Sequence, residues 1–209
     1  MNLLKIIEKN LIASYNKMAG ERDKLRMSEW KKGERDVFER FILKRASKNL
    51  LEVGAGTGQD SLYFQELGLE VTSVDLSTEM IKLCKEKGLN AKEMSVFDLE
   101  FPDNTFDAIW SLNCLLHITK EDLPRALHEI KRVLKPNGIF YMGVYGGKDS
   151  QGVWEKDTYN PKRFFSFYLD EQIQDVVEKV FNVEYINIIP KHIIGGEQEL
   201  SFQSMVLTK

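Results

Sequence analysis

Apolar positions recur along this chain in two different rhythms. Up to residue 46 they fall at helical spacing: Leu3, Leu4, Ile7 and Leu11, then Trp30, Val37, Phe38, Phe41 and Ile42. That spacing predicts amphipathic helices, with Gly20 and Gly33 as breaks between two or three of them. From Asn49 short apolar runs alternate with helical stretches. Residues 49–53 (NLLEV) and 70–75 (EVTSVD) read as strands around a helix at 59–67 (QDSLYFQEL). Ser77 is a candidate N-cap for a helix at 78–87, which Gly88 ends. A short strand near 91–96, a turn around Pro102 and Asn104, and a strand at 106–112 (FDAIWSL) follow. Thr119 to Asp122 has the form of a capping box for a helix at 120–135, where Leu123, Leu127, Ile130 and Leu134 share one face. Pro136, Asn137 and Gly138 stop that helix and turn the chain into a strand at 139–144 (IFYMGV).

Strand and helix in alternation predict an α/β fold with a parallel sheet covered on both faces. Ligands of such sheets bind beyond the carboxyl ends of the strands, near the switch in strand order. The stretch LLEVGAGTGQD lies there, with Gly54, Gly56 and Gly58 at alternate positions. A dinucleotide-binding loop wants G-x-G-x-x-G, and here the third place of that pattern is the bulky Gln59. The observed G-x-G-x-G suits a bend that lets backbone approach a less highly charged ligand. Asp75 ends the second strand, 21 residues after Gly54, where a carboxylate can accept from both hydroxyls of a ribose. Asp98, after the short third strand, could accept from the exocyclic amine of an adenine. Leu76, Met80 and Leu99 are the apolar candidates beside it.

These segments, in this order, resemble the class I S-adenosylmethionine-dependent methyltransferases. The likeness covers roughly residues 48–144 and rests on LLEVGAGTGQD, VTSVDLSTEMI, SVFDLEFPDNTFDAIWSLNCLLHI and RVLKPNGIFYMGVY. It implies a Rossmann-like, doubly wound sheet, mostly parallel, that ends in an antiparallel C-terminal hairpin strand. Residues 183–189 and 200–207, joined across Gly195–Gly196, fit that hairpin. It also implies S-adenosylmethionine as cofactor. Glu52, Gly54, Ala55, Gly56, Thr57 and Gly58 would form its loop, Asp75 would hold the ribose, and Leu76 and Met80 would flank the adenine. Asp98 and Leu99 would read that base, and Ser111 to Asn113 would sit near the methionine amino group. One domain is expected over 1–209: an N-terminal helical extension capping the fold at 1–47, a cofactor-binding core at 48–144, and an acceptor-side region with the hairpin at 145–209.

Methyl transfer from a sulfonium is an in-line displacement, so the protein chiefly aligns and desolvates the reactants. A base is needed only where the accepting atom must lose a proton. His117, after the fourth strand, is a candidate base. Tyr15, in SYNKMAGERD, resembles the tyrosine of an N-terminal element that folds over the cofactor in many small members, although Arg22–Asp23 stands where a second Tyr–Asp pair is common. Aromatic residues gather after the fifth strand, and Tyr145, Trp154, Phe165 and Tyr168 are candidates to line an acceptor pocket.

Composition narrows the partners. The 209 residues carry a formal net charge of -3, so nucleic acid is not expected as a partner of the whole molecule. Residues 17–48 are the local exception, with eleven Lys/Arg against six Asp/Glu. Cys84 and Cys114 stand thirty positions apart, and the three histidines are scattered, so no metal site is expected. No secretory leader or membrane-length apolar run is seen, and a cytoplasmic monomer or homodimer acting on a small molecule is expected. Two other readings stay open. One is an NAD-type oxidoreductase, against which Gln59 stands. The other is a non-catalytic S-adenosylmethionine-binding or RNA-associated protein, to which the basic stretch points.

Overall fold

The computed structural model describes residues 3–195 and 200–209. Two helices, α1 (Leu3–Asp23) and α2 (Glu29–Lys44), precede β1 (Asn49–Val53). The core continues through α3 (Gln59–Glu66), β2 (Glu70–Asp75), α4 (Thr78–Glu86), β3 (Asn90–Glu93), β4 (Phe106–Leu112), α5 (Leu123–Val133) and β5 (Leu134–Gly146). Then come β6 (Ser150–Val153), β7 (Phe164–Phe167), α6 (Asp170–Glu178), β8 (Asn182–Ile189), the short α7 (Lys191–Ile194) and β9 (Ser201–Thr208). Seven strands form one sheet in the order β3-β2-β1-β4-β5-β9-β8, and β6 pairs with β7 in a separate ribbon. The first five are mutually parallel, while β9 runs antiparallel between β5 and β8. The chain steps outward from β1 to β3 and returns to β4 beside β1. The switch in strand order therefore lies between β1 and β4.

Side chains alternate across this sheet as the pleat requires. Leu50, Ala108, Trp110, Ile139, Tyr141 and Val206 face α2 and α3, where Phe38, Ile42 and Phe64 meet them. Leu51, Ile109, Phe140, Met142, Met205 and Leu207 face the other way, onto Leu127 and Ile130 of α5 and Ile173 and Val177 of α6. Trp110 and Tyr141 stack with ring centroids 3.9 Å apart, and Phe38 packs at 5.4 and 5.7 Å from them. α1 stands off the sheet. Its Ile7, Leu11 and Tyr15 pack with Phe164 of β7, so α1 and the ribbon lie together.

Several expected boundaries move. Gly20 and Gly33 sit inside α1 and α2, and the break falls at residues 24–28 instead. Neither glycine would crowd a Cβ, so the helices run through them at the modest entropic cost of an interior glycine. Thr119 and Asp122 bond reciprocally, Thr119 Oγ1 donating to Asp122 Oδ2 at 2.8 Å and the Asp122 N–H to Thr119 Oγ1 at 3.1 Å. They close a turn ahead of α5, which starts at Leu123 with a proline in its first turn. β5 begins directly at Leu134, opposite Phe106, and a register shift absorbs the Pro136–Gly138 stretch. Pairing with β9 carries β5 on to Gly146. The expected hairpin strands are β8 and β9; Gly196 of the expected turn lies outside the described residues. β6, β7 and α6 had no counterpart in the sequence reading. β7 is four residues, FFSF, buried on both faces, so it lacks alternation. No helix among the described residues is long and apolar enough to cross a membrane.

Phe38 is completely buried between α2 and the sheet. Phe38→Ala should cost about 3–5 kcal/mol of unfolding free energy, read by denaturant titration. A loss under about 1 kcal/mol would show that α2 does not close this face of the core.

Candidate active site

All three loop glycines have positive φ, +76° at Gly54, +53° at Gly56 and +80° at Gly58, yet they serve different ends. A Cβ on Gly54 would lie 2.4 Å from Cys114 Cβ, and one on Gly58 would lie 2.5 Å from Leu89 Cδ1. These two glycines are required by close packing within the protein. A Cβ on Gly56 would meet nothing within 4 Å. Gly56 alone of the three faces open space. The loop hangs on β2: the N–H groups of Gly54 and Ala55 donate to the Val74 carbonyl at 2.8 and 3.0 Å. Gln59 turns its side chain away, its amide donating to the Leu25 carbonyl at 2.8 Å in the α1–α2 connection.

Three acids stand around this loop, Glu52 and Asp60 buried and Asp75 half-buried. Asp75 accepts from the Gly56 N–H through Oδ2 at 2.9 Å and from the Ser77 N–H through Oδ1 at 2.8 Å. Burial raises its pKa, opposed by those bonds. Ser77 caps α4 as expected, accepting from the Met80 N–H at 3.2 Å. Glu52 accepts from Ser61, and burial followed by the nearby Asp60 charge pushes its carboxyl well above the ordinary range. Asp60 itself accepts from Arg35 and from the Trp110 indole, both at 3.1 Å, and burial still raises its pKa.

A cavity of about 1170 Å³ opens over the carboxyl ends of the strands. Of the residues singled out in the sequence, Glu52, Gly54, Ala55, Gly56, Thr57, Asp75, Leu76 and Asn113 lie on its wall. Tyr15, His117, Tyr145, Trp154 and Phe165 line it too. Gly58, Met80, Leu99 and Ser111 stand behind the wall, Met80 and Leu99 almost wholly buried. Asp98 is exposed and off the wall, which at that side is formed by Met94, Ser95, Val96 and Phe97. Tyr168 is also off the wall, under Lys120, whose ammonium lies 4.5 Å from its ring. Asn113, at a positive φ of 58°, leaves its Oδ1 buried without a partner.

On the opposite side the cavity meets a hydrogen-bonded chain that sequence reasoning reached only in part. His117 Nδ1 lies 2.7 Å from the Phe164 carbonyl, which can only accept, so Nδ1 carries the hydrogen. Nε2 is then the acceptor, and the Tyr15 hydroxyl donates to it at 2.7 Å. Arg163 Nη1 donates to the same hydroxyl at 3.0 Å, and Asp157 grips Arg163 through Nε at 3.0 Å and Nη2 at 2.8 Å. Burial pushes the His117 pKa down to about 3 and raises that of Tyr15 against the pull of Arg163. Arg163 and Asp157 carry no sequence signal, because their spacing of six residues in an irregular segment matches no motif.

Residues 51–142 match the family described as "Methyltransferase domain". Phosphoethanolamine N-methyltransferase 3 of Arabidopsis thaliana is 36% identical over 171 residues, covering 74% of this chain and 34% of that protein. The chain spans about a third of the length of the curated relatives first matched, at 37%, 34% and 28%. Among solved structures, the 1,6-didemethyltoxoflavin-N1-methyltransferase of Burkholderia thailandensis, with 1,6-didemethyltoxoflavin and S-adenosylhomocysteine bound, superposes with a TM-score of 0.75 at 20% identity. That match covers 99% of this chain and 88% of that one. The cyclase SpnF shares the fold at a TM-score of 0.67 and 18% identity, over 88% of this chain and 84% of that one. Residues 51–142 thus match a methyltransferase domain, and the strand order and the glycine bend at its switch point are those of a Rossmann-like sheet.

Proposed function

We propose that this protein transfers a methyl group from S-adenosylmethionine to a small-molecule acceptor. The observation that carries the reading is the open face of Gly56 beside the half-buried Asp75 carboxylate at the β1–β4 switch point. A fold of this type also serves a cyclase, so the reading rests on the site and not on the superposition.

The residues present fit the cofactor. Gly54, Ala55, Gly56 and Thr57 supply main chain that a ligand can touch, and Asp75 supplies a carboxylate for the ribose hydroxyls. Leu76, Val96 and Phe97 supply apolar wall for the adenine, and the unpartnered Asn113 Oδ1 supplies an acceptor for an ammonium group. When bound, S-adenosylmethionine supplies a methyl group already activated on a positively charged sulfur. What remains for the chain is to exclude water and to hold the accepting atom in line.

Tyr15 is assigned that second task. Its hydroxyl donates to His117 and accepts from Arg163, which leaves one lone pair for an N–H or O–H of the acceptor. With a pKa near 3, His117 does not take up a proton around neutrality. Its work is to fix the direction of the Tyr15 O–H, as the Phe164 carbonyl fixes the imidazole. The phosphoethanolamine methyltransferases among the relatives make small amines, phosphorylated ones included, the first acceptors to try.

Gly56→Val should abolish S-adenosylhomocysteine binding in calorimetry while the chain stays folded, at a cost of about 1–2 kcal/mol or somewhat more for a branched residue at this φ. Wild-type affinity in that variant would remove the loop from the site. Methyl-labelled S-adenosylmethionine offered with a panel of small amines tests the transfer itself, and labelled product is the expected result.

The His117 assignment has its own signature. Its folded pKa of about 3 lies below the ordinary 6.5, so the unfolded chain binds the proton first. The stability this group contributes is complete above pH 6.5 and is lost as pH falls from there towards 3. Over pH 6.5–4.5 the unfolding free energy of the wild type should fall faster than that of His117→Gln, by about 1.4 kcal/mol per pH unit. Parallel profiles would mean that the imidazole is charged in the folded protein.

A further inference from the structure

Two guanidinium groups flank Tyr15, and one of them has no acid. Arg22 Cζ and Arg163 Cζ each lie 5.3 Å from the centroid of the Tyr15 ring, and both residues belong to the cavity wall. Asp157 holds Arg163 through Nε and Nη2, while Nη1 donates to the Tyr15 hydroxyl. Arg22 comes from the last turn of α1, and its Nη1 donates to the Tyr159 hydroxyl at 3.2 Å. Tyr159 ties the two cations together, because its ring centroid lies 3.5 Å from Arg163 Cζ and 5.8 Å from that of Tyr15. A guanidinium carries five N–H groups. Four of those on Arg22 and two of those on Arg163 are therefore without an acceptor among the described residues.

The acids of the wall do not offset this pair. Glu8 takes the Ser95 hydroxyl at 2.9 Å, Glu52 takes Ser61, and Asp60 takes Arg35 and the Trp110 indole. Asp75 feels the Arg22 charge through space, but its two oxygens are held by the N–H groups of Gly56 and Ser77. Lys31 lies against Trp30 and Tyr145 instead, at 5.2 and 5.5 Å, and Arg26, Lys148 and Lys156 are exposed, where solvent screens them. What singles out Arg22 and Arg163 is their place on either side of the hydroxyl assigned to the acceptor. Two like charges around one hydroxyl repel each other, the more so where water is partly excluded. An anion between them removes that repulsion, and an uncharged molecule that displaces their water leaves both unmatched.

We propose that the methyl acceptor is a small acid, whose carboxylate or phosphate group is held by Arg22 and Arg163 while its N–H or O–H meets the Tyr15 hydroxyl. This rests on the transferase reading above and narrows its substrate class. Guanidinium N–H groups suit the paired oxygens of either anion. Because Arg163 and Tyr15 share a hydrogen bond, the anion and the accepting atom stand only a few bonds apart.

The test is calorimetry on the full chain saturated with S-adenosylhomocysteine, at constant ionic strength. The probes are two amino acids in the broad sense, each with a counterpart lacking the anion: β-alanine against β-alaninamide, and 2-aminoethylphosphonate against ethanolamine. At least one acid should bind about tenfold or more tighter than its counterpart, and the pair that shows it separates carboxylate from phosphate-type recognition. Arg22→Gln should weaken that acid by about ten- to a hundredfold and change the affinity for S-adenosylhomocysteine by less than about twofold. Arg22→Lys should restore part of the loss, since the charge returns without the planar fork. Should Arg22→Gln fail to fold by circular dichroism, Arg22→Met is read by the same ratio. Acids bound no tighter than their counterparts, or an acid affinity untouched by Arg22→Gln, overturn the proposal while the transferase reading stands. So does an equal loss of S-adenosylhomocysteine, which would give Arg22 to the cofactor. A wild-type chain that binds no S-adenosylhomocysteine defeats the transferase reading, and this proposal with it.

Discussion

The architecture depends on how closely β1 and β4 leave the sheet together. The backbone after Val53 passes so near Cys114 that no side chain fits at Gly54, and it can do so only with a positive φ. Gly58 repeats the constraint against Leu89 and Cys84. Pinned at both ends, the loop bends back over β2, and the Asp75 carboxylate secures its middle through the Gly56 N–H. The result is a rigid rim with a single gap, at Gly56. Strand order puts that gap where a parallel sheet splits its crossovers to opposite faces, so the cavity follows from topology and is shaped by packing.

Elements outside the core complete the enclosure. α1 reaches from the ribbon to the glycine loop: Tyr15 meets His117 and Arg163 at one end, and Asp23 pairs with Lys87, which also donates to the Thr57 carbonyl, at the other. Glu52, Asp60 and Asp75 gather beneath the loop, where burial raises all three carboxyl pKa values. Arg22, Lys31 and Arg163 also line the cavity. A ligand that joins a sugar diol and an ammonium matches such a wall better than a diphosphate does. A diphosphate would meet the acids under the loop.

The core was legible because its signals are local. The strand of NLLEV, the N-cap at Ser77 and the glycine spacing each follow from neighbours in sequence, and the structure has β1, the capped α4 and the bend where those signals stand. Functions of individual glycines were not legible, because what a Cβ at Gly54 would strike comes from Cys114, sixty positions on. The same holds for Asp98. Its place after a short strand looked like a base-reading site, yet the chain presents it to solvent and puts Ser95 to Phe97 on the wall. Arg163 was invisible for the opposite reason: a cation in an irregular stretch gains meaning only from the acid and the hydroxyl it is folded against. The ribbon of β6 and β7 was missed because four-residue strands carry too little periodicity to separate from loop.

The central claim is that the gap at Gly56 admits an adenosyl thioether whose ribose is held by Asp75. The direct measurement is a crystal structure of the full chain grown with S-adenosylhomocysteine. The account predicts the nucleoside over the carboxyl ends of β1 and β2, its ribose hydroxyls within hydrogen-bond distance of the Asp75 carboxylate and its amino-acid end beside Asn113. An empty cavity at saturating ligand, or the ligand seated away from Gly56 with Asp75 still bonded only to the main chain of Gly56 and Ser77, would contradict it.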